Sequence, residues 1–240
     1  MTGFRVAGGP VIPNFGKPNA CLKNNGWFCT HWIQKHWHDI LQPALIQHIQ
    51  LVVIAVAIGF AISFPLAVIG YRFPPIDPFL GVFSDFLYTV PSIAFFLLLV
   101  PLTGVTVTTV EVALVSFTLF IFYRNIVVGL RSVPPDVLES ARGMGMTRRQ
   151  TFWRVELPLA KPAIFAGLRI ATVATISIAT LAAFLIEDGL GAPIFDALRT
   201  PDLFHTELLT AGGLAVLLAL IADFLLGGLQ RALTPWTRVR

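Results

Sequence analysis

Five apolar stretches, at residues 44–69, 79–102, 110–130, 162–186 and 208–229, decide what this chain can fold into. Each holds about 20 or more mainly apolar residues, and roughly 20 at 1.5 Å apiece cross a ~30 Å hydrocarbon core. Backbone inside lipid must satisfy its own hydrogen bonds, which leaves helices or closed barrels. No alternating segments of about ten residues announce barrel strands. The expected class is all-α: a polytopic membrane protein with about five transmembrane helices. Only 12% of the residues are charged, against about 25% in soluble domains, which fits the same class.

Lysine and arginine set the expected orientation. Residues 131–161 carry six basic side chains, and the tail after Leu229 carries three more. Residues 187–207 hold one basic residue against five acidic ones, and residues 103–109 hold none. The 131–161 loop and the C-terminus are thus expected in the cytoplasm and the N-terminus outside. Four basic residues among the first 43 pull mildly the other way. The net charge of +4 then reads as a topology signal rather than a nucleic-acid footprint, and no nucleic-acid partner is expected.

Residues 1–43 are expected to form an extracytoplasmic, interfacial extension, and residues 44–240 the transmembrane domain. The extension shows no apolar run beside a positive start, so no cleaved signal is visible. Gly8-Gly9-Pro10 and Pro13-Asn14-Phe15-Gly16 read as irregular structure. Trp27, Phe28, Trp32 and Trp37 suit a segment at the outer membrane interface. Cys21 and Cys29, the only cysteines, fit either a disulfide or two free thiols. His31, His36 and His38 read as a polar helix edge, since no cysteine or carboxylate completes a ligand set.

The 131–161 loop parses by local rules. Pro134-Pro135 opens a helix, where a missing N–H costs nothing, and Asp136 and Glu139 suit its positive end. Gly143 and Gly145 break it. Thr147 with Gln150 reads as a capping box for a second short helix, about 148–156. That helix is expected to stop at Leu157-Pro158, because proline excludes its predecessor from the helix. The outcome is a bent knob with Leu138, Met144 and Met146 available to a soluble partner.

Glu139-Ser140-Ala141, three residues, Gly145, nine residues, then Val155, one residue and Leu157-Pro158 resembles the cytoplasmic coupling loop of binding-protein-dependent ABC importers. Ser140 replaces an alanine of that pattern. Tyr88 to Ala94, Arg124 to Arg131, Gly143 to Thr147, and Ala179 to Phe184 followed by Gly189-Leu190-Gly191 are similar to the permease subunits of osmoprotectant importers. The likeness covers about residues 44–235. Two outer-face departures are Ile186-Glu187-Asp188, where relatives often carry a glycine run, and the N-terminal extension. The resemblance implies ATPase coupling through Glu139, Ser140, Ala141, Gly143, Gly145, Met146, Val155, Leu157 and Pro158. It also implies a docking rim for the binding protein near Glu187, Asp188, Asp196 and Asp202.

Asp85, Arg124, Arg169 and Asp223 lie six or seven residues inside the apolar runs, about 9–10 Å deep. Charges there face inward and find partners. Two acids and two bases sum to zero, so at least one Asp–Arg pair is expected to tie spans together. A proton relay is the alternative, against which stands arginine's inability to release a proton. Span four carries Thr172, Thr175, Ser177 and Thr180 among alanines, a pattern for close packing or for lining a path. Pro91 is expected to kink span two. Tyr88, Pro91, Ser92, Phe95 and Thr175 are the candidate substrate-path residues, the rings suiting a methylammonium group or simply core packing.

The sequence holds no Gly-x-x-x-x-Gly-Lys-Ser/Thr phosphate loop and no catalytic, cofactor or metal constellation. The resemblance implies a non-enzymatic, multi-pass permease of the inner or plasma membrane. Two cytoplasmic ABC ATPases would use the ATP, an external binding protein would deliver glycine betaine, choline, carnitine or proline, and a second or related permease would complete the path. The rival is a secondary transporter driven by an ion gradient, against which stands the lack of an internal repeat.

Overall fold

The long apolar runs can bury neither ends nor loops, so they become helices whose sides pack against one another. The computed structural model describes residue 21 and residues 24–238. The irregular structure expected at 8–16 lies outside these. Every regular element among the described residues is a helix. In chain order they are α1 (Thr30–His36), α2 (Gln42–Arg72), α3 (Asp77–Thr89), α4 (Ser92–Thr103), α5 (Val107–Arg131), α6 (Pro135–Gly143), α7 (Arg148–Thr151), α8 (Leu157–Leu181), α9 (Gly191–Arg199) and α10 (His205–Leu233). A wide π-turn at Trp37–Leu41 fuses α1 to α2, and another at Phe152–Glu156 fuses α7 to α8.

Four continuous helical stretches are long and apolar enough to span a membrane: Thr30–Arg72, Val107–Arg131, Arg148–Phe184 and His205–Leu233. A fifth crossing exists if α3 and α4 count together. α5 is the centre, packed against α2, α3, α4 and α8. Its most apolar window is 61% buried, whereas that of α10 is 11% buried. α10 therefore rests on the outside of the bundle, held by α8 and α9. Small residues allow the close central crossing: a Cβ on Gly129 of α5 would stand 3.1 Å from the Ala160 carbonyl of α8.

Two expectations are corrected. Residues 79–102 do not form one kinked helix, because α3 and α4 meet at 99°. Val90 is extended (ψ 126°) as its following proline demands, and Pro91 is extended too (ψ 133°), so two consecutive residues leave the helix. Nor does the helix after Thr147 stop at Leu157-Pro158. The π-turn sends the Leu157 N–H to the Phe152 carbonyl, five residues back. That wider register carries the helix past a proline with no N–H to give.

Candidate functional site

At one end of the bundle, α6 and α7 form the expected knob. α6 ends in a Schellman turn: Met146 N–H reaches the Ala141 carbonyl at 3.1 Å and Gly145 N–H reaches Arg142 at 2.9 Å. Gly145 stands at φ +78°, which a side chain resists, although a Cβ there would touch nothing within 4 Å. Helix α6 runs through Gly143, so Gly145 alone makes the bend. The capping box then forms in both directions: Thr147 N–H donates to Gln150 Oε1 at 2.8 Å, and Gln150 N–H to Thr147 Oγ1 at 3.3 Å.

The knob is anchored on one side and open on the other. Ala141, Thr151 and Phe152 are buried, and the Arg72 guanidinium of α2 lies 4.9 Å from the centre of the Phe152 ring. Glu139, Ser140, Gly143 and Gly145 are exposed, with Met144 at 70% and Trp153 at 55% exposure. Met146, Val155, Leu157 and Pro158 are half-buried at its base. The knob thus presents an exposed apolar and charged face on a fixed support. It can serve as a contact for another protein.

Asp85, Arg124, Arg169 and Asp223 form two pairs. Arg124 of α5 grips Asp85 of α3 through Nε (3.0 Å) and Nη2. Arg169 of α8 grips Asp223 of α10 through Nε (2.8 Å) and Nη2 (2.7 Å). A further cluster at the knob end was not singled out from sequence: Asp77 accepts from Tyr123 at 2.6 Å and from Arg131 at 2.9 Å. Glu111 of α5 was also missed, and both its buried carboxylate oxygens lack a hydrogen-bond partner.

The candidate path residues separate. Tyr88 stacks on Phe120 (4.4 Å between centroids) and Phe95 meets Phe117 edge-on (5.8 Å). Pro91 and Ser92 sit at the break between α3 and α4. Thr175 is buried and returns its hydroxyl to the Ala171 carbonyl. A groove of about 1010 Å³ runs between α8 and α10, lined by Ser177, Thr180, Gly212 and Ala215, with Arg169 and Asp223 also in its wall.

At the opposite end, Cys21 and Cys29 are joined as a disulfide. The closed loop grips the start of α10. Asn25 Nδ2 donates to the carbonyls of Asp202 (2.6 Å) and Leu203 (2.9 Å), and its Oδ1 accepts the His205 N–H at 3.2 Å. Thr206 Oγ1 donates to the Gly26 carbonyl at 2.7 Å, and Trp27 stacks on His205 at 4.3 Å. Asn25 thus supplies the cap that α10 lacks locally. No cue linking residue 25 to residue 205 exists along the chain.

A family model described as binding-protein-dependent transport system inner membrane component matches residues 55–239. The chain is 36% identical over 205 residues to the carnitine transport permease protein OpuCB of Listeria monocytogenes, across 85% of this chain and 92% of that protein. It is 37% identical over 191 residues to the choline transport system permease protein OpuBB of Bacillus subtilis (strain 168), across 79% and 86%. Among solved structures, a chain of the inward-facing MetNI methionine ABC transporter superposes with a TM-score of 0.74 over 84% of this chain and 98% of its own. At 20% identity that likeness speaks for the fold alone.

Proposed function

Because this chain belongs to the inner membrane component family of binding-protein-dependent transport systems, we propose that it forms the path for a small compatible solute in an ATP-driven importer. Glycine betaine, choline, carnitine and proline are the candidate solutes. Relatives named for carnitine and choline transport support that class. The chain is a multi-pass membrane permease subunit. In our reading the knob and the C-terminus face the cytoplasm, and the disulfide loop and α9 face outside.

The observation that carries this reading is the knob: anchored by Ala141 and Phe152, and exposed at Glu139, Met144 and Trp153. It suits the seat of a separate ATPase, two copies of which would bind and hydrolyse the ATP. Glu139, Ser140, Ala141, Gly143, Gly145, Met146, Val155, Leu157 and Pro158 are the proposed contact and its frame. An external binding protein would dock around Glu187, Asp188, Asp196 and Asp202, and a second permease copy or a related subunit would close the path. ATP-driven closure of the ATPases would then switch access between the two sides by rigid-body movement.

Reconstitution tests this. Proteoliposomes holding the permease, its ATPase and its binding protein should take up a labelled compatible solute only with ATP at the knob side. Uptake that ignores ATP and follows an imposed proton or sodium gradient would replace this reading with a secondary transporter.

A further inference from the structure

Two adjacent side chains of α2 complete the backbone of the loop that follows α8. Gln47 Oε1 accepts the Gly189 N–H at 3.2 Å, and His48 Nδ1 accepts the Leu190 N–H at 3.3 Å. Since Nδ1 accepts, the ring proton belongs on Nε2, which donates to the Ile176 carbonyl of α8 at 3.1 Å. His48 is wholly buried. One imidazole therefore joins α2, α8 and the loop leading into α9.

The joint has little slack. Gly189 stands at φ +73°, and a Cβ there would come within 3.0 Å of His48 Nδ1. A buried imidazole is costly unless both nitrogens are satisfied, and here both are. At the other end, Arg72 of α2 covers Phe152 in the π-turn that leads from the knob into α8. The loop itself carries Glu187 and Asp188, which lie in the proposed docking rim.

We propose that Gln47 and His48 are positioning residues: a latch that fixes the 185–190 loop to α2 and α8, so that binding-protein arrival at the loop is felt at the knob. This inference rests on the importer reading above. Energy passes only if both sites bias one shared arrangement, and the latch is where the loop and the two helices share one.

The test uses the complete importer in proteoliposomes and measures ATP hydrolysis with and without solute-loaded binding protein. His48→Leu fills the site and makes neither bond, Gln47→Ala removes only the Gly189 bond, and His48→Gln can both accept and donate. His48→Leu should lower stimulation by about tenfold, within the usual range of coupling between sites, while basal hydrolysis persists. Gln47→Ala should lower it severalfold, and His48→Gln should restore most of it. A merely structural role would move basal and stimulated hydrolysis together. Full stimulation in Gln47→Ala, or proportional loss of both rates in His48→Leu without rescue by Gln, overturns the latch alone. A wild-type importer that ignores its binding protein overturns the functional reading and the latch together.

Discussion

Arg169 and Asp223 meet fork to fork across α8 and α10, with two parallel hydrogen bonds of 2.8 and 2.7 Å. Arg124 and Asp85 repeat the arrangement across α5 and α3. Both pairs join helices whose other sides are largely apolar, and each cancels its own charge where an unpaired one would be costly. For α10, so little buried in the bundle, the pair is a polar tie to α8. Gln230 Nε2 donating to the Pro162 carbonyl at 3.2 Å is another.

The pairing predicts a pattern of coupling. Arg169→Gln and Asp223→Asn should each lower folded yield in membranes, and the double variant should lose clearly less than the two singles combined. Arg124→Gln with Asp85→Asn should behave alike. Arg124→Gln with Asp223→Asn crosses the two pairs and should be additive. Thermal unfolding in nanodiscs reads the cycles, and additivity within a pair would refute it.

Gly145 gives a second prediction. A Cβ there meets open space, so substitution acts through backbone strain alone. Gly145→Val should cost about 1–2 kcal/mol, the penalty of the left-handed region for a side chain. Gly145→Asn should cost less, because asparagine tolerates that region better. Comparing their melting temperatures with stimulated ATP hydrolysis shows whether the Schellman turn sets the knob's aim; equal losses for Val and Asn would refute the strain account.

Glu139 is exposed on α6. Glu139→Lys should leave yield and melting temperature unchanged while cutting ATPase binding or stimulated hydrolysis by about tenfold or more, as expected of a contact hot spot. Unchanged hydrolysis would move the contact elsewhere on the knob.

The legible parts of this molecule are those written in adjacent residues. Thr147 and Gln150 lie one helical turn apart, so their capping box could be read directly, as could the bend that needs Gly145. Apolar length announced the spanning helices. Pro91 marked a disturbance, but its size depends on Val90 and Pro91 both leaving the helix. Pro158 looked like a stop because the π-turn at Phe152 that absorbs it has no sequence mark of its own. For the intramembrane charges, depth was readable and azimuth was not: spacing places Arg124 and Arg169 at similar heights, yet only packing assigns Asp85 to one and Asp223 to the other. Asp77 with Tyr123, His48 with Leu190, and Asn25 with His205 are contacts between distant segments, which no local pattern encodes.

The Asn25 contact yields the last prediction. The His205 N–H at the start of α10 has no local cap and is met by Asn25 Oδ1, while Asn25 Nδ2 holds the carbonyls of Asp202 and Leu203. Asn25→Ala frees the helix end and should cost about 1 kcal/mol, as loss of a cap does. Reducing the Cys21–Cys29 bridge with a dithiol acts on the same loop through its unfolded freedom, typically worth about 2–4 kcal/mol when a bridge is lost. Both changes should speed amide hydrogen exchange in residues 202–208 while leaving exchange in the buried middle of α5 as it was. If the 202–208 segment exchanges equally slowly in the oxidised, reduced and Asn25→Ala forms, the loop does not hold α10, and the start of that helix is secured by its packing against α9 and α1.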